Sequence, residues 1–154
     1  MNIVLVEPEI PPNTGNVARL CAATGAVLHL VGPLGFRLDD RQLKRAGMDY
    51  WEQVTWKAWQ SWDELLAATR QEPRPPRFYL VENKTDRLYT SVRYQADDYL
   101  VFGRETTGLP DALLDAYRDT TIAIPQFNPK ARSLNLANCV AIVLYEALRQ
   151  IKGF

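Results

Sequence analysis

Apolar residues in this chain fall into short blocks punctuated by Pro, Gly, Asn and Asp, and the rhythm changes from block to block. Residues 3–6 form a continuous, β-branched run that predicts a first strand. Pro8, Pro11 and Pro12 predict a rigid, non-helical exit from it. Asn13 predicts the N-cap of a helix over 14–24, with Val17, Leu20, Cys21 and Thr24 on one face and Gly25 as its stop. Residues 26–31 predict a second strand, closed by Gly32-Pro33, and Asp39 or Asp40 predicts the cap of a short basic helix ending at Gly47. Ser61 caps a predicted helix over 62–70, and 71–77, with its prolines, predicts a loop. Further strands are predicted over 77–82, 99–103 and 121–124, the last stopped by Pro125; a short helix is predicted over 111–117. A final helix begins near Ser133.

The strand blocks are apolar at successive positions rather than alternating. Strands of that kind, interleaved with helices, predict an α/β fold: a mostly parallel sheet with helices on both faces. The final helix, through Cys139 to Leu148, is apolar on nearly every face. Such a helix is buried all round, which predicts packing on its own sheet and on a second copy of the chain. The Ser/Asn cluster at its mouth would then lie at a subunit seam, where a small ligand can lodge.

Composition narrows the picture. A chain of 154 residues, 47% hydrophobic, predicts a single domain over 1–154. Its net charge is zero, so nucleic-acid binding would have to come from local basic patches. Cys21 and Cys139 lie far apart among apolar neighbours, predicting buried thiols in a reducing compartment. The start reads as a strand, not a leader, and no apolar run approaches the roughly 18 residues of a membrane span. These features predict a cytoplasmic chain with no membrane partner. His29 has no companions at metal-ligand spacing, so it is read as structural and no metal is expected.

In parallel sheets, ligands bind beyond the carboxyl ends of the strands, and that rule selects 13–19, 103–110 and 125–138. In the first, Asn16 and Arg19 project together from a helix start that suits phosphate or carboxylate; on spacing alone an ordinary capped helix with a solvated arginine is the favoured explanation. In the second, Gly103 and Gly108 let a ligand approach the backbone, or simply shape a turn. Neither a GxGxxG nor a P-loop is present. In the third, Lys130, Arg132, Ser133, Asn135 and Asn138 precede the apolar helix; capping accounts for one such residue more easily than for all. The basic helix places Arg41, Lys44 and Arg45 on one face, for phosphate or for solvent. Trp51, Trp56, Trp59 and Trp62 read as anchors of a small amphipathic segment rather than as base-stacking platforms.

Taken in order, Asn13-Thr14-Gly15-Asn16…Arg19, Phe102-Gly103-x-Glu105-x-x-Gly108-Leu109-Pro110 and Ile124-Pro125…Arg132-Ser133-Leu134-Asn135-Leu136-x-Asn138 resemble the SPOUT superfamily of methyltransferases across essentially the whole chain. With Arg41-x-Leu43-x-Arg45-Ala46-Gly47-x-Asp49-Tyr50, the chain is similar to the short, single-domain tRNA wobble-nucleotide 2′-O-ribose methyltransferases. The resemblance implies a C-terminal trefoil knot, a homodimer, and S-adenosylmethionine as cofactor, leaving as S-adenosylhomocysteine. It implies cofactor contacts at Leu80, Gly103, Gly108, Ile124, Ser133, Leu134 and Asn138. It implies a tRNA substrate methylated on the ribose 2′-hydroxyl of the wobble cytidine or modified uridine. Two stretches depart from the family pattern. The 124–133 loop is one residue longer, and 81–84 carries Glu82 where small residues are expected, leaving Glu82 open between a ribose-hydroxyl partner and a solvated carboxylate.

The resemblance assigns catalysis to Arg19, Ser133, Asn135, Glu105 and Tyr145. Because guanidinium stays protonated, Arg19 is read as holding phosphate and stabilising a developing oxyanion rather than as a base. Ser133 and Asn135 would orient the 2′-oxygen, Glu105 would hold backbone or an arginine in place, and Tyr145 would enter the site from either subunit. Asn16, Arg37, Arg41, Lys44, Arg45, Lys130 and Arg132 would position the RNA. The alternatives are methylation of another RNA such as ribosomal RNA, or a non-catalytic RNA-binding module.

Overall fold

The computed structural model describes residues 1–38, 51, 53–128, 130 and 133–154. Their elements in chain order are β1 (Asn2–Val6), α1 (Pro11–Thr24), β2 (Val27–Val31), β3 (Trp56–Trp59), α2 (Trp62–Thr69), β4 (Phe78–Val81), β5 (Tyr99–Phe102), α3 (Asp111–Ala116), β6 (Thr121–Ile122) and α4 (Leu136–Lys152). The strands form one sheet in the order β3-β2-β1-β5-β4-β6. Every named pair in it is parallel.

The pleat sends successive residues to opposite faces, and both faces are covered, as the continuous apolar runs predict. Ile3, Leu5, Leu100 and Phe102 join one core cluster with Val17 and Cys21 of α1 and Val140, Val143 and Leu144 of α4. Val4, Val6, Tyr99 and Val101 join the other, with Leu65 of α2 and Leu113 of α3. The amino end of the sheet is pinned by Asp98, only 2% exposed, which accepts from Arg77 Nε at 2.7 Å, Arg77 Nη2 at 2.6 Å and Gln95 N at 2.7 Å. A buried carboxylate satisfied this fully is tolerated.

Four expectations are corrected. α1 starts at Pro11, not at Thr14, and its N-cap, Ile10, makes no side-chain cap bond. Proline fits the first helical turn because those N–H groups lack intrahelical partners anyway. Asn13 therefore lies inside the helix, 8% exposed, instead of capping it. β3 occupies part of the tryptophan-rich segment read as amphipathic anchors. It is an edge strand whose Trp-Lys-Ala-Trp sequence has no apolar run to announce it. The last helix begins at Leu136, capped by Asn135, whose Oδ1 accepts from Ala137 N at 2.9 Å and Asn138 N at 3.4 Å. Within one chain α4 is not buried all round, since Asn138, Ile142, Tyr145 and Arg149 form an exposed stripe. Gly25 closes α1 as expected, at φ +74° with its N–H donating to Cys21 O.

Candidate functional site

Beyond the carboxyl ends of β1, β4 and β5, residues from 10–13, 81–84, 102–108, Ile124, Gln126 and 133–139 line a cleft of about 750 Å³. That volume suits a nucleoside-sized ligand. Val81, Ile124, Leu134 and Leu136 contribute apolar wall; Glu82, Ser133 and Asn135 contribute polar groups.

The walls are joined by side chains that act over long sequence distances. Glu105 accepts from Glu9 N at 2.9 Å, Ile10 N at 3.1 Å and Asn13 Nδ2 at 3.2 Å. It thereby supplies acceptors, and negative charge, at the uncapped start of α1. Asn13 Oδ1 in turn accepts from Asn135 Nδ2 at 2.9 Å. One chain of hydrogen bonds so links the β5–α3 loop, the α1 start and the α4 start. Glu9 answers in the other direction, accepting from Thr106 N at 3.1 Å and Oγ1 at 2.7 Å. Arg104 pairs with Glu7, which adopts φ +52° at the end of β1, a conformation costing of order 1–3 kcal/mol in a non-glycine residue.

The two glycines of the β5–α3 loop have separate reasons. A Cβ on Gly103 would lie 2.2 Å from Gly108 C and 2.3 Å from Leu109 N, so only glycine lets this loop fold onto itself. Arg104 and Gly108 close it with N–H to O bonds of 3.1 and 3.0 Å. Gly108 sits at φ +72°, and a Cβ there would meet Glu82 Oε2 at 2.3 Å. Cys139, half-buried beside the cleft, has its thiol pushed up to about 11 by burial and by the charge of Glu82. It stays protonated at neutral pH and is no nucleophile.

Of the expected site residues, Gly103, Glu105, Gly108, Ile124, Ser133, Leu134 and Asn135 line the cleft together. Leu80 is fully buried in β4 behind the wall, and its neighbour Val81 lines the cleft instead. Asn138 faces outward from the first turn of α4. Asn16 and Arg19 stand exposed on α1, Arg19 about 9 Å along the axis from Asn13 at 1.5 Å per residue. Tyr145 is 48% exposed on α4 and does not line the cleft of its own chain. Arg37 and Lys130 are exposed. Arg41, Lys44, Arg45 and Arg132 lie outside the described residues. Among the described residues, no group of His, Cys, Asp and Glu could hold a metal ion, and no helix is long and apolar enough to cross a membrane. Asn13 is the bridge that sequence reasoning missed. Its partners, 92 and 122 residues away, leave no local signal.

The geometry has counterparts in known proteins. A protein of Yersinia pestis named tRNA (cytidine(34)-2′-O)-methyltransferase is 48% identical over 98% of this chain and 94% of its own length. A solved structure described as giving structural insights into the 2-OH methylation of C/U34 on tRNA matches with a TM-score of 0.91 and 44% identity, over 99% of this chain and 97% of that one. The SpoU methyltransferase AviRb of Streptomyces viridochromogenes, solved in complex with AdoMet, matches with a TM-score of 0.83 and 25% identity, over 97% of this chain and 57% of that one. The SpoU rRNA Methylase family matches residues 1–145. With residues 1–145 matched by the family and about half of the sequence identical to a full-length relative, this chain belongs to the SpoU rRNA Methylase family.

Proposed function

We propose that this chain is an S-adenosylmethionine-dependent methyltransferase acting on the ribose 2′-hydroxyl of the wobble nucleotide, cytidine or modified uridine, in the tRNA anticodon loop. The observation that carries the proposal is the cleft at the carboxyl ends of β1, β4 and β5, built from the three motif loops and locked by the Glu105–Asn13–Asn135 chain. Full-length identity near one half to relatives named for that reaction supports the choice of tRNA over ribosomal RNA.

The residues present fit the cofactor. The cleft has apolar wall for an adenine, a loop brought close by Gly103, and polar groups at the α4 start for a ribose or an amino-acid end. Gly103, Gly108, Ile124, Ser133 and Leu134 would hold it, with Leu80 and Asn138 as supports. When bound, it supplies a methyl group on a positively charged sulfur, already electrophilic. The protein's task is to bring the ribose oxygen into line and help it shed a proton, and positioning alone can lower the barrier by roughly 7–11 kcal/mol. Ser133 and Asn135, at the positive end of α4, orient the oxygen. Arg19 holds the target phosphate and stabilises the developing oxyanion. Glu105, engaged by three donors of the α1 start, is a positioning residue. Asn16, Arg37, Lys130 and the basic residues Arg41, Lys44, Arg45 and Arg132, which lie outside the described residues, hold RNA phosphates, so binding weakens with salt.

Three further readings belong to this proposal. The whole chain acts as one domain, in the cytoplasm, where tRNA is. The C-terminal half forms a trefoil knot. In support, the chain leaves β4 for β5 and returns past β4 to β6, while the 87–94 segment is bonded both to Ala123 (Ala123 N to Arg87 O, 2.8 Å; Tyr89 N to Ala123 O, 3.0 Å) and to Gln150 of α4 (Tyr94 N to Gln150 Oε1, 3.2 Å), wrapping the tail. The active form is a homodimer through α4, which brings Tyr145 to a subunit seam.

Incubation with labelled S-adenosylmethionine and tRNA lacking the modification, followed by nucleoside mass spectrometry, tests the reaction; a 2′-O-methyl wobble nucleoside is expected. Arg19→Ala should lower turnover by about two to three orders of magnitude, with affinity for S-adenosylhomocysteine unchanged. RNA binding without any methyl gain would reject catalysis.

A further inference from the structure

Glu82 stands one residue beyond the end of β4 and lines the cleft. Among the described residues it forms no ion pair. Lys84, two positions on, is engaged with Asp111 at 2.8 Å. The Glu82 carboxylate accepts two hydrogen bonds, Oε1 from Asn83 N at 2.9 Å and Oε2 from Leu109 N at 3.3 Å. An ionised carboxylate offers about four acceptor positions, so both oxygens keep acceptor capacity. The backbone of Leu109 fixes one edge of the group, and Gly108, whose φ of +72° already favours glycine, leaves room for the carboxylate in this position: a Cβ there would lie 2.3 Å from Oε2. Its charge reaches Cys139, which also lines the cleft.

A held carboxylate with one free acceptor position on each oxygen complements a pair of adjacent hydroxyl donors. The end of a parallel strand is also where nucleotide-binding α/β sheets place the acid that holds a ribose hydroxyl. Glu105, the other carboxylate of the cleft, is already committed to three donors. We propose that Glu82 is a cofactor-binding residue whose carboxylate accepts hydrogen bonds from the 2′- and 3′-hydroxyls of the cofactor's ribose. This rests on the reading of the cleft as an S-adenosylmethionine site. In that arrangement Gly108 serves the cofactor indirectly, by making room for the acid that grips it. The pocket would then discriminate by the sugar as well as by the base.

The test is calorimetric binding of S-adenosylhomocysteine and of its 2′,3′-dideoxy analogue to the wild type and to Glu82→Gln. Hydrogen bonds to a charged group are strong enough that Glu82→Gln should lose about ten- to hundredfold in affinity for S-adenosylhomocysteine. Its affinity for the dideoxy analogue should equal that of the wild type. Glu82→Asp keeps the charge but shortens the arm, and is expected to show the same selective loss, so the comparison survives if the amide variant fails to fold. Equal losses for both ligands, or no loss for either, would overturn the assignment. A wild type that binds neither ligand would remove the cofactor reading itself, and with it this role.

Discussion

His29 is held between two side chains that decide its protonation. Trp59 Nε1, which can only donate, approaches Nδ1 at 3.1 Å, so the ring proton sits on Nε2, which donates to Asn2 Oδ1 at 3.1 Å. The ring lies parallel to the Trp59 indole and against Tyr99. Burial, and secondarily the charge of Lys57, lowers its pKa from 6.5 to about 4. The unfolded chain therefore takes up a proton at this position as pH falls through 6.5, while the folded chain stays neutral until about 4. The contribution is intact above 6.5 and is lost progressively as pH falls toward 4, by up to about 3 kcal/mol. Urea unfolding at pH 7.5 and 4.5 should show the wild type losing about 2–3 kcal/mol more than His29→Gln between the two pH values. Equal losses would show that His29 is as accessible to protons folded as unfolded. His29 was legible in the sequence as structural, because it has no ligand partners at metal spacing. Its hydrogen-bond partners were not legible, because one of them lies in β3, which the sequence did not reveal.

At the scale of elements, what could be read in advance was what local chemistry dictates. Apart from Asn2 and His29, which bond each other, β1, β2, β4 and β5 carry apolar or aromatic side chains on both faces, as covered parallel strands do. β3 escaped because an edge strand needs only part of one face covered. The start of α1 escaped because prolines that usually break helices are tolerated in the first turn. The three loops of the cleft followed from topology, but the bonds joining them did not. Asn13 looks like a local cap and is in fact a relay between Glu105 and Asn135. This relay makes a separable prediction. Asn135→Ala removes the cap of α4 and the donor to Asn13, and should cost about 1–2 kcal/mol in chemical denaturation. Asn135→Asp keeps an acceptor for Ala137 N and Asn138 N but cannot donate to Asn13. It should recover the capping part, about 1 kcal/mol, while leaving S-adenosylhomocysteine affinity reduced. If the aspartate variant restored binding as well as stability, the link between the α1 and α4 starts would have no bearing on the cleft.

At the scale of the whole molecule, the proposed homodimer turns on the exposed side of α4. α4 spans about 26 Å at 1.5 Å per residue over its 17 residues. Its inner side is packed by Val140, Val143, Leu144, Ala147 and Leu148, while Ile142 and Tyr145 remain 37% and 48% exposed, and Leu134, just before the helix, 39%. Glu146 and Arg149 pair beside this stripe at 2.8 Å, giving it a polar margin. An apolar strip with a charged rim is the anatomy of a protein interface. The exposed residues run from Leu134, in the cleft wall, past Asn138 to Ile142 and Tyr145, and it is on this strip that the proposed second copy would dock. Sedimentation at micromolar concentration is expected to give the mass of two protomers for the wild type and of one for Ile142→Glu, since a carboxylate there would be buried without a partner. The thermal midpoint should rise with protein concentration for the wild type only. If the proposed function holds, methyl transfer should fall with the dimer in Ile142→Glu, because only the proposed seam brings Tyr145 to a site. A monomeric Ile142→Glu with full activity would confine the site to one chain, and a wild type that sediments as one protomer at working concentrations would leave the α4 stripe without its partner.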